Sequence, residues 1–233
     1  MSLKTRWHKA CSDTIGTNLF WKIAVDHRSS LDDIVPLIDE FTKGVVLDAG
    51  AGRMAWRSAL EPHATVYMST DYIVEHPQLD FCADLQGGLP LRDGTIDTVF
   101  CCSVMEHTPE PWRVLPEIHR VLKPGGHVIL SVPFMYYLHG WPHDYFRFSR
   151  YGLRSLAEKA GFTIVRQTNA GGIALMVCHA ISMVLTACLW TPRVPWLSTL
   201  PAAALYKFGR LVERLDRDAL FSQNIHMVLM RPL

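Results

Sequence analysis

The sequence has no excess of either charge. Its 23 Lys and Arg face 22 Asp and Glu, a formal net charge of +1. That lacks the basic footprint of nucleic-acid-binding chains, and no nucleic-acid partner is expected. Cysteine is scarce too: six, at positions 11, 82, 101, 102, 178 and 188. They form no CxxC pair and no Cys/His cluster at zinc spacing, which excludes the common structural zinc modules. Cys101 and Cys102 are neighbours in an apolar run. The thiols therefore read as reduced, small apolar side chains in a cytoplasmic protein. The first residues lack the apolar core of a signal peptide. There is no internal repeat and no low-complexity tract. The one local charge imbalance lies in the first 28 residues, where Lys4, Arg6, Lys9, Lys22 and Arg28 face only Asp13 and Asp26. It reads as a solvated basic helix face.

What is present is globular. Of 233 residues, 49% are apolar and 19% charged, enough for one domain with elaborations and a sizeable core. Residues 5–42 read as helices forming an N-terminal cap (1–42), anchored by Trp7, Phe20 and Trp21. Strands are predicted over 44–49, 64–70, 96–102, 127–132, 162–168 and 225–230, with a short extended piece near 79–83. Helices are predicted over 53–60, 111–122, 150–160 and 202–217. The 111–122 spacing puts Trp112, Leu115, Ile118, Val121 and Leu122 on one face. Lys123-Pro124-Gly125-Gly126 stops that helix. Strands that are continuous apolar runs, alternating with helices, imply a mainly parallel sheet covered on both faces, an α/β fold.

The first strand delivers Asp48-Ala49-Gly50-Ala51-Gly52-Arg53 to a helix start. Glycines there let a backbone approach a ligand closely. A GxG after a strand fits a dinucleotide or a plain tight turn equally well. The leading acid suits a cationic or hydroxyl-rich ligand better than a pyrophosphate, and Ala55 stands where the dinucleotide pattern needs a third glycine. Asp71 closes the second strand, where a carboxylate can accept from both hydroxyls of a ribose. Asp84 can accept from an adenine amino group while Leu85 packs on the ring.

Three segments together carry a resemblance. They are Val46 to Gly52, then Ile96-Asp97-Thr98-Val99-Phe100-Cys101-Cys102-Ser103-Val104-Met105-Glu106-His107, then Glu117-Ile118-His119-Arg120-Val121-Leu122-Lys123-Pro124-Gly125-Gly126. Residues 44–168 resemble the class I S-adenosylmethionine-dependent methyltransferases, in their small-molecule branch. The resemblance implies a Rossmann-like three-layer sandwich whose seven-stranded, mostly parallel sheet ends in an antiparallel strand. The methyltransferase domain would run 43–233, with a helical insertion over 170–218. Asp48, Gly50 and Gly52 would take the methionine end of the cofactor, Asp71 the ribose, and Asp84 with Leu85 the adenine. Ser103 and Met105 would line the pocket. Arg53 departs from the family, where many members carry a third glycine.

Methyl transfer to oxygen needs alignment and a route for the hydroxyl proton, through a base or a metal. Two clusters follow strands whose carboxyl ends should bear the site. One is Glu106-His107. The other is the aromatic segment Phe134–Phe148, with His139, His143 and Asp144 among the rings. His143 is the candidate base, with Asp144 either orienting it or binding a divalent cation such as Mg2+. Glu106 and His107 are further catalytic candidates, with a cofactor-side structural role for His107 as the alternative. Tyr137, His139, Trp141, Tyr145 and Arg147 are candidates for binding the acceptor. His-Asp-Tyr-x-Arg segments resemble those of methyltransferases associated with bacterial glycans, which points to O-methylation of a saccharide or small-molecule hydroxyl. An N- or C-methyltransferase of a metabolite and a non-catalytic cofactor-binding partner subunit stay open.

Ile173–Trp190 carries no charge, yet contains His179, Ser182 and Thr186. A helix of that length falls just short of a bilayer crossing. The reading is a buried helix or pocket cover. A peripheral membrane contact, as a lipid-linked acceptor would need, or a homodimer contact through 173–200 are the alternatives.

Overall fold

The structure, a computed structural model, describes residues 1–215 and 221–233. The expected helix end at 217 and insertion boundary at 218 lie outside the described residues. In chain order the elements are α1 (Leu3–Thr14), α2 (Val25–Phe41), β1 (Val45–Ala49), α3 (Arg57–Leu60), β2 (Val66–Asp71), β3 (Phe81–Cys82), β4 (Ile96–Cys102), α4 (Pro111–Val121), β5 (Leu122–Pro133), α5 (Arg150–Lys159), β6 (Thr163–Ala170), α6 (Ile173–Leu189), α7 (Trp196–Glu213) and β7 (Asn224–Met230).

The chain divides into two units, Val35–Asn169 with Asn224–Leu233, and Met1–Ile34 with Ala170–Gln223. The N-terminal helices, expected as a cap by themselves, thus group with the segment before the last strand.

The first unit holds a seven-stranded sheet in the order β3-β2-β1-β4-β5-β7-β6. β1 pairs in parallel with β2 and β4, β4 in parallel with β5, and β7 antiparallel with β5. The sheet is therefore Rossmann-like and mostly parallel, with the antiparallel final strand the resemblance implied. Its core gathers Leu47, Val99, Cys101, Leu130 and Met227 from the strands with Leu115, Ile118 and Leu153 from the helices. Burial of such side chains contributes about 1.5–3 kcal/mol each, and this supplies most of the unit's stability.

Two of the three segments that carry the resemblance fasten this sheet. Asp97, at the start of β4, accepts from the Val45 N–H and from Lys123 Nζ, both at 2.8 Å. Arg120 donates to Glu117, Asp93 and the carbonyls of Leu89 and Leu91, while Glu117 accepts from the Leu89 N–H. The last turn of α4 thereby clamps the turn that precedes β4.

Two expectations are corrected here. Trp112 does not share the buried face of α4; it is 53% exposed, and Val114 packs inward with Leu115, Ile118 and Val121. Of the helix expected over 53–60, only Arg57–Leu60 forms. Gly50, Gly52 and Met54 all have positive φ, so the chain cannot enter a right-handed helix before them.

The second unit is helical. Trp7, Ala10, Ile23, Ala24 and Ala187 make one core cluster, and Val25, Leu175 and Cys178 another. The buried side of α6 mixes Leu175, Cys178 and Ala187 with the polar His179, Ser182 and Thr186, while Ile173, Val177, Ile181 and Val184 are exposed. The polar side chains serve the start of α2. Ser182 Oγ accepts from Val25 N–H, His179 Nδ1 from Asp26 N–H, and Thr186 donates to the Ile23 carbonyl. The two N–H groups are among those a helix start leaves without partners. Among the described residues, no helix is long and apolar enough to cross a membrane.

Candidate functional site

β1 and β2 end together, with Asp48 in register with Ser69 and Ala49 with Thr70. The loop leaving β1 is pinned to β2. Gly50 and Ala51 N–H donate to the Thr70 carbonyl, and Gly52 N–H to Asp71 Oδ2 at 2.8 Å. Gly50 has φ +84°, and a Cβ there would lie 2.2 Å from Val104 Cγ2. Only glycine lets this turn press against the chain leaving β4.

Asp48 is 3% exposed and accepts from the Tyr67 hydroxyl at 2.8 Å. Burial raises its carboxyl to about 7; the Tyr67 hydrogen bond opposes this and the nearby Asp71 charge adds to it. Tyr67, which the sequence reading did not single out, is the missed member of the site. No local pattern marks it; only the β1–β2 register brings it to Asp48. Asp71 also accepts from the Tyr72 N–H, and Asp84 from the backbone and side chain of Gln86.

The side chains expected around adenine and the pocket differ in exposure. Leu85 and Met105 are buried in the core, whereas Ser103 is exposed with φ +56° and donates its N–H to the Ser131 carbonyl. A positive φ at a serine is a strained conformation of the kind that collects at functional turns.

Beyond β4 a short 3-10 turn, Met105–His107, carries Glu106 and His107. The 133–149 segment folds back onto it. Tyr145 and Phe146 N–H both donate to the Glu106 carbonyl, at 2.8 and 3.2 Å. Gly140 has φ +65°, and a Cβ there would stand 2.6 Å from His107 Cε1. The glycine lets the segment lie flat against the imidazole. The His107 and His139 rings meet edge to face with centroids 4.7 Å apart.

Asp144 is not the partner of His143 that the sequence suggested. Both its oxygens take Arg147, at 2.6 and 2.8 Å, and it also accepts from the His139 N–H. The Arg147 guanidinium holds its carboxyl down at about 2. Arg147 donates further to the carbonyls of Tyr136, Tyr137 and Phe146, so this pair stiffens the segment. A divalent cation at Asp144 would have to displace that guanidinium. His143 is exposed, and its Nδ1 lies 2.9 Å from the Tyr145 hydroxyl. Tyr145 presents its exposed ring beside it, and Tyr137 and Trp141 are exposed on the same segment.

Known proteins agree with this architecture. The profile of the family described as "Methyltransferase domain" matches residues 47–130. An uncharacterised methyltransferase of Mycobacterium sp. (strain KMS) is 29% identical over 119 residues, which is 47% of each chain. The chain thus spans about half the length of the curated relatives it matches first. Among solved structures, a chain of the complex between the Haloferax volcanii Trm112 methyltransferase activator and a methyltransferase superposes with a TM-score of 0.61 at 18% identity, covering 100% of this chain and 98% of that one. Haemonchus contortus phosphoethanolamine N-methyltransferase 2, in complex with S-adenosyl-L-methionine, superposes with a TM-score of 0.57 at 16% identity, covering 86% and 53%. Residues 47–130 are thus similar to the methyltransferase-domain family, and the chain shares the fold of these methyltransferases.

Proposed function

We propose that the chain is an S-adenosylmethionine-dependent methyltransferase that methylates a hydroxyl of a saccharide or other small molecule. The observation that carries this reading is the anchoring of the His139–Arg147 segment on the Glu106-His107 turn, just beyond β4.

The residues present fit the cofactor. Asp48 is a buried carboxylate beside a glycine turn, and its raised pKa means that a cation placed there gains a strong partner. Asp48, Gly50 and Gly52 would hold the amino-acid end. Asp71 keeps lone pairs for ribose hydroxyls, and Asp84 with Leu85 would take the adenine. Ser103 and Met105 would contribute chiefly backbone. Bound there, S-adenosylmethionine supplies a methyl group activated by its sulfonium.

The acceptor side follows from the chain's own groups. The exposed rings of Tyr137, Trp141 and Tyr145 give flat faces on which a sugar can stack. In the tautomer that donates Nδ1–H to the Tyr145 hydroxyl, His143 carries its lone pair on Nε2, where it can accept the proton of an acceptor hydroxyl. Arg147, fixed by Asp144, holds the segment in that arrangement. Mg2+ has no part in this reading, because Arg147 fills both oxygens of Asp144.

Incubation of metabolite and glycan extracts with the protein and deuteromethyl-labelled cofactor, followed by mass spectrometry, tests the proposal. A product whose hydroxyl hydrogen is replaced by CD3 is expected, and its yield should fall at least tenfold in His143→Ala with cofactor binding retained. No calorimetric binding of S-adenosylmethionine at millimolar concentration refutes the whole reading. Labelling on nitrogen or carbon refutes the acceptor class.

A further inference from the structure

Glu106 is fully buried, and neither of its carboxylate oxygens has a hydrogen-bond partner. Leaving a carboxylate so placed costs several kcal/mol unless a charge or proton meets it. Two imidazoles face it instead. His107 Nε2 lies 3.8 Å and His139 Nε2 3.6 Å from Glu106 Oε1. Both distances exceed a hydrogen bond.

The other nitrogen of each ring explains why. His107 Nδ1 lies 2.5 Å from the His143 carbonyl oxygen, and His139 Nδ1 lies 3.3 Å from that of Tyr137. A carbonyl only accepts, so each Nδ1 carries the hydrogen and each neutral ring turns its Nε2 lone pair toward Glu106. Asp144 Oδ2, at 3.6 Å from His139 Nδ1, reinforces that orientation. Imidazoles held through Nδ1–H by carbonyls and carboxylates, with Nε2 free, are how metal-ligating histidines are oriented. One ligand atom from each of the three residues lies within 4.8 Å of the others.

We propose that Glu106, His107 and His139 form a three-ligand site for a divalent transition ion of the zinc class. Two imidazoles and one carboxylate suit zinc, cobalt, manganese or iron better than magnesium or calcium, which prefer all-oxygen ligands. Metal–ligand bonds of ~2.0–2.2 Å put tetrahedral ligand atoms ~3.3 Å apart, so the 3.6 and 3.8 Å separations need only a small contraction. The histidines are about a quarter exposed, which leaves a coordination position for water or a ligand oxygen. On the O-methylation reading, an acceptor hydroxyl bound at that position would lose its proton more readily. The metal site itself does not depend on that reading.

The test is binding of the metal to the full chain, followed apart from turnover. Protein treated with chelator is titrated with Co2+, read by its visible d–d absorption, and then with Zn2+ in competition. After dialysis against Zn2+, elemental analysis gives the stoichiometry. One ion per chain is expected for wild type, with affinity at least 100-fold weaker in Glu106→Gln and in His139→Ala. His107→Ala serves if either of those fails to fold by circular dichroism. Wild-type uptake no greater than that of the folded variants overturns the proposal, and the cluster is then an imidazolium–carboxylate group held by a proton. S-Adenosylmethionine calorimetry on the same samples reports separately on the methyltransferase reading, so either can fail alone.

Discussion

Asp48 should make cofactor binding and folding stability respond to pH in opposite ways. Burial places its carboxyl at about 7 against an ordinary 3.8. An α-ammonium group needs the ionised form. The ionised fraction falls from about one half at pH 7 to about one hundredth at pH 5, so S-adenosylmethionine should bind roughly 50-fold more weakly at pH 5, or about 2.3 kcal/mol. Stability runs the other way. An acid whose folded pKa lies above its unfolded value stabilises the fold while protonated and loses that contribution as pH rises from about 4 to 7. At pH 8 the unliganded protein should carry a penalty of up to ~4 kcal/mol from this one side chain. Asp48→Asn never ionises, and its amide oxygen can still accept from Tyr67. Thermal melts should therefore show the variant more stable than wild type at pH 8 and nearly equal at pH 4. Calorimetry should show binding that is ~10–100-fold weaker at pH 8 and flat from pH 5 to 7. Equal melting at pH 8 together with an unchanged pH profile of binding would refute the assignment.

Other perturbations separate the parts of the molecule. Burial depresses His179 to about 4 and lowers His27 too, so both fold as neutral rings. Because the unfolded chain binds these protons more readily, chemical denaturation should show stability falling as pH drops from about 6.5 to 4, by ~3 kcal/mol for His179 alone. Gly50→Ala must leave its positive φ and clear Val104, so it should cost at least ~1–2 kcal/mol in urea denaturation and abolish measurable cofactor binding. Arg120→Ala removes the clamp on the Leu89–Asp93 turn and should cost ~2–3 kcal/mol in the same assay, with cofactor stoichiometry unchanged. Arg147→Lys loses the two-pronged grip on Asp144; kcat/KM for the acceptor should fall ~10–100-fold while cofactor affinity moves less than twofold.

What the sequence disclosed was what local chemistry controls. β1, β4 and β5 are apolar runs ended by turn residues, so they could be read directly, as could the acids at strand ends. Asp97, Glu117, Arg120 and Lys123 stood out because the resemblance runs through them, and they prove to be fasteners of the sheet. Contacts that depend on register or on an irregular loop were hidden. Tyr67 reaches Asp48 only through the pairing of β1 with β2. Asp144 chose Arg147 over the adjacent His143, because in a loop the chain direction, not spacing, decides which neighbours meet. His139 meets Glu106 only after that loop folds back. In α6, the uncharged run was legible as a helix, but not that His179, Ser182 and Thr186 face inward, since that depends on the bare N–H groups at the start of α2.

The order of strands also sets an order of events. β7 lies between β5 and β6, yet it follows both in the chain, separated from β6 by the segment 171–223. A ribosome-bound chain ending before Asn224 would present the unpaired borders of β5 and β6, a docking place for any other nascent strand. The seven-residue β7 thus acts as a zip whose slider is made only after both borders that it joins. A nonsense codon between residues 171 and 224 would leave β1 to β5 in place and the protein prone to clump.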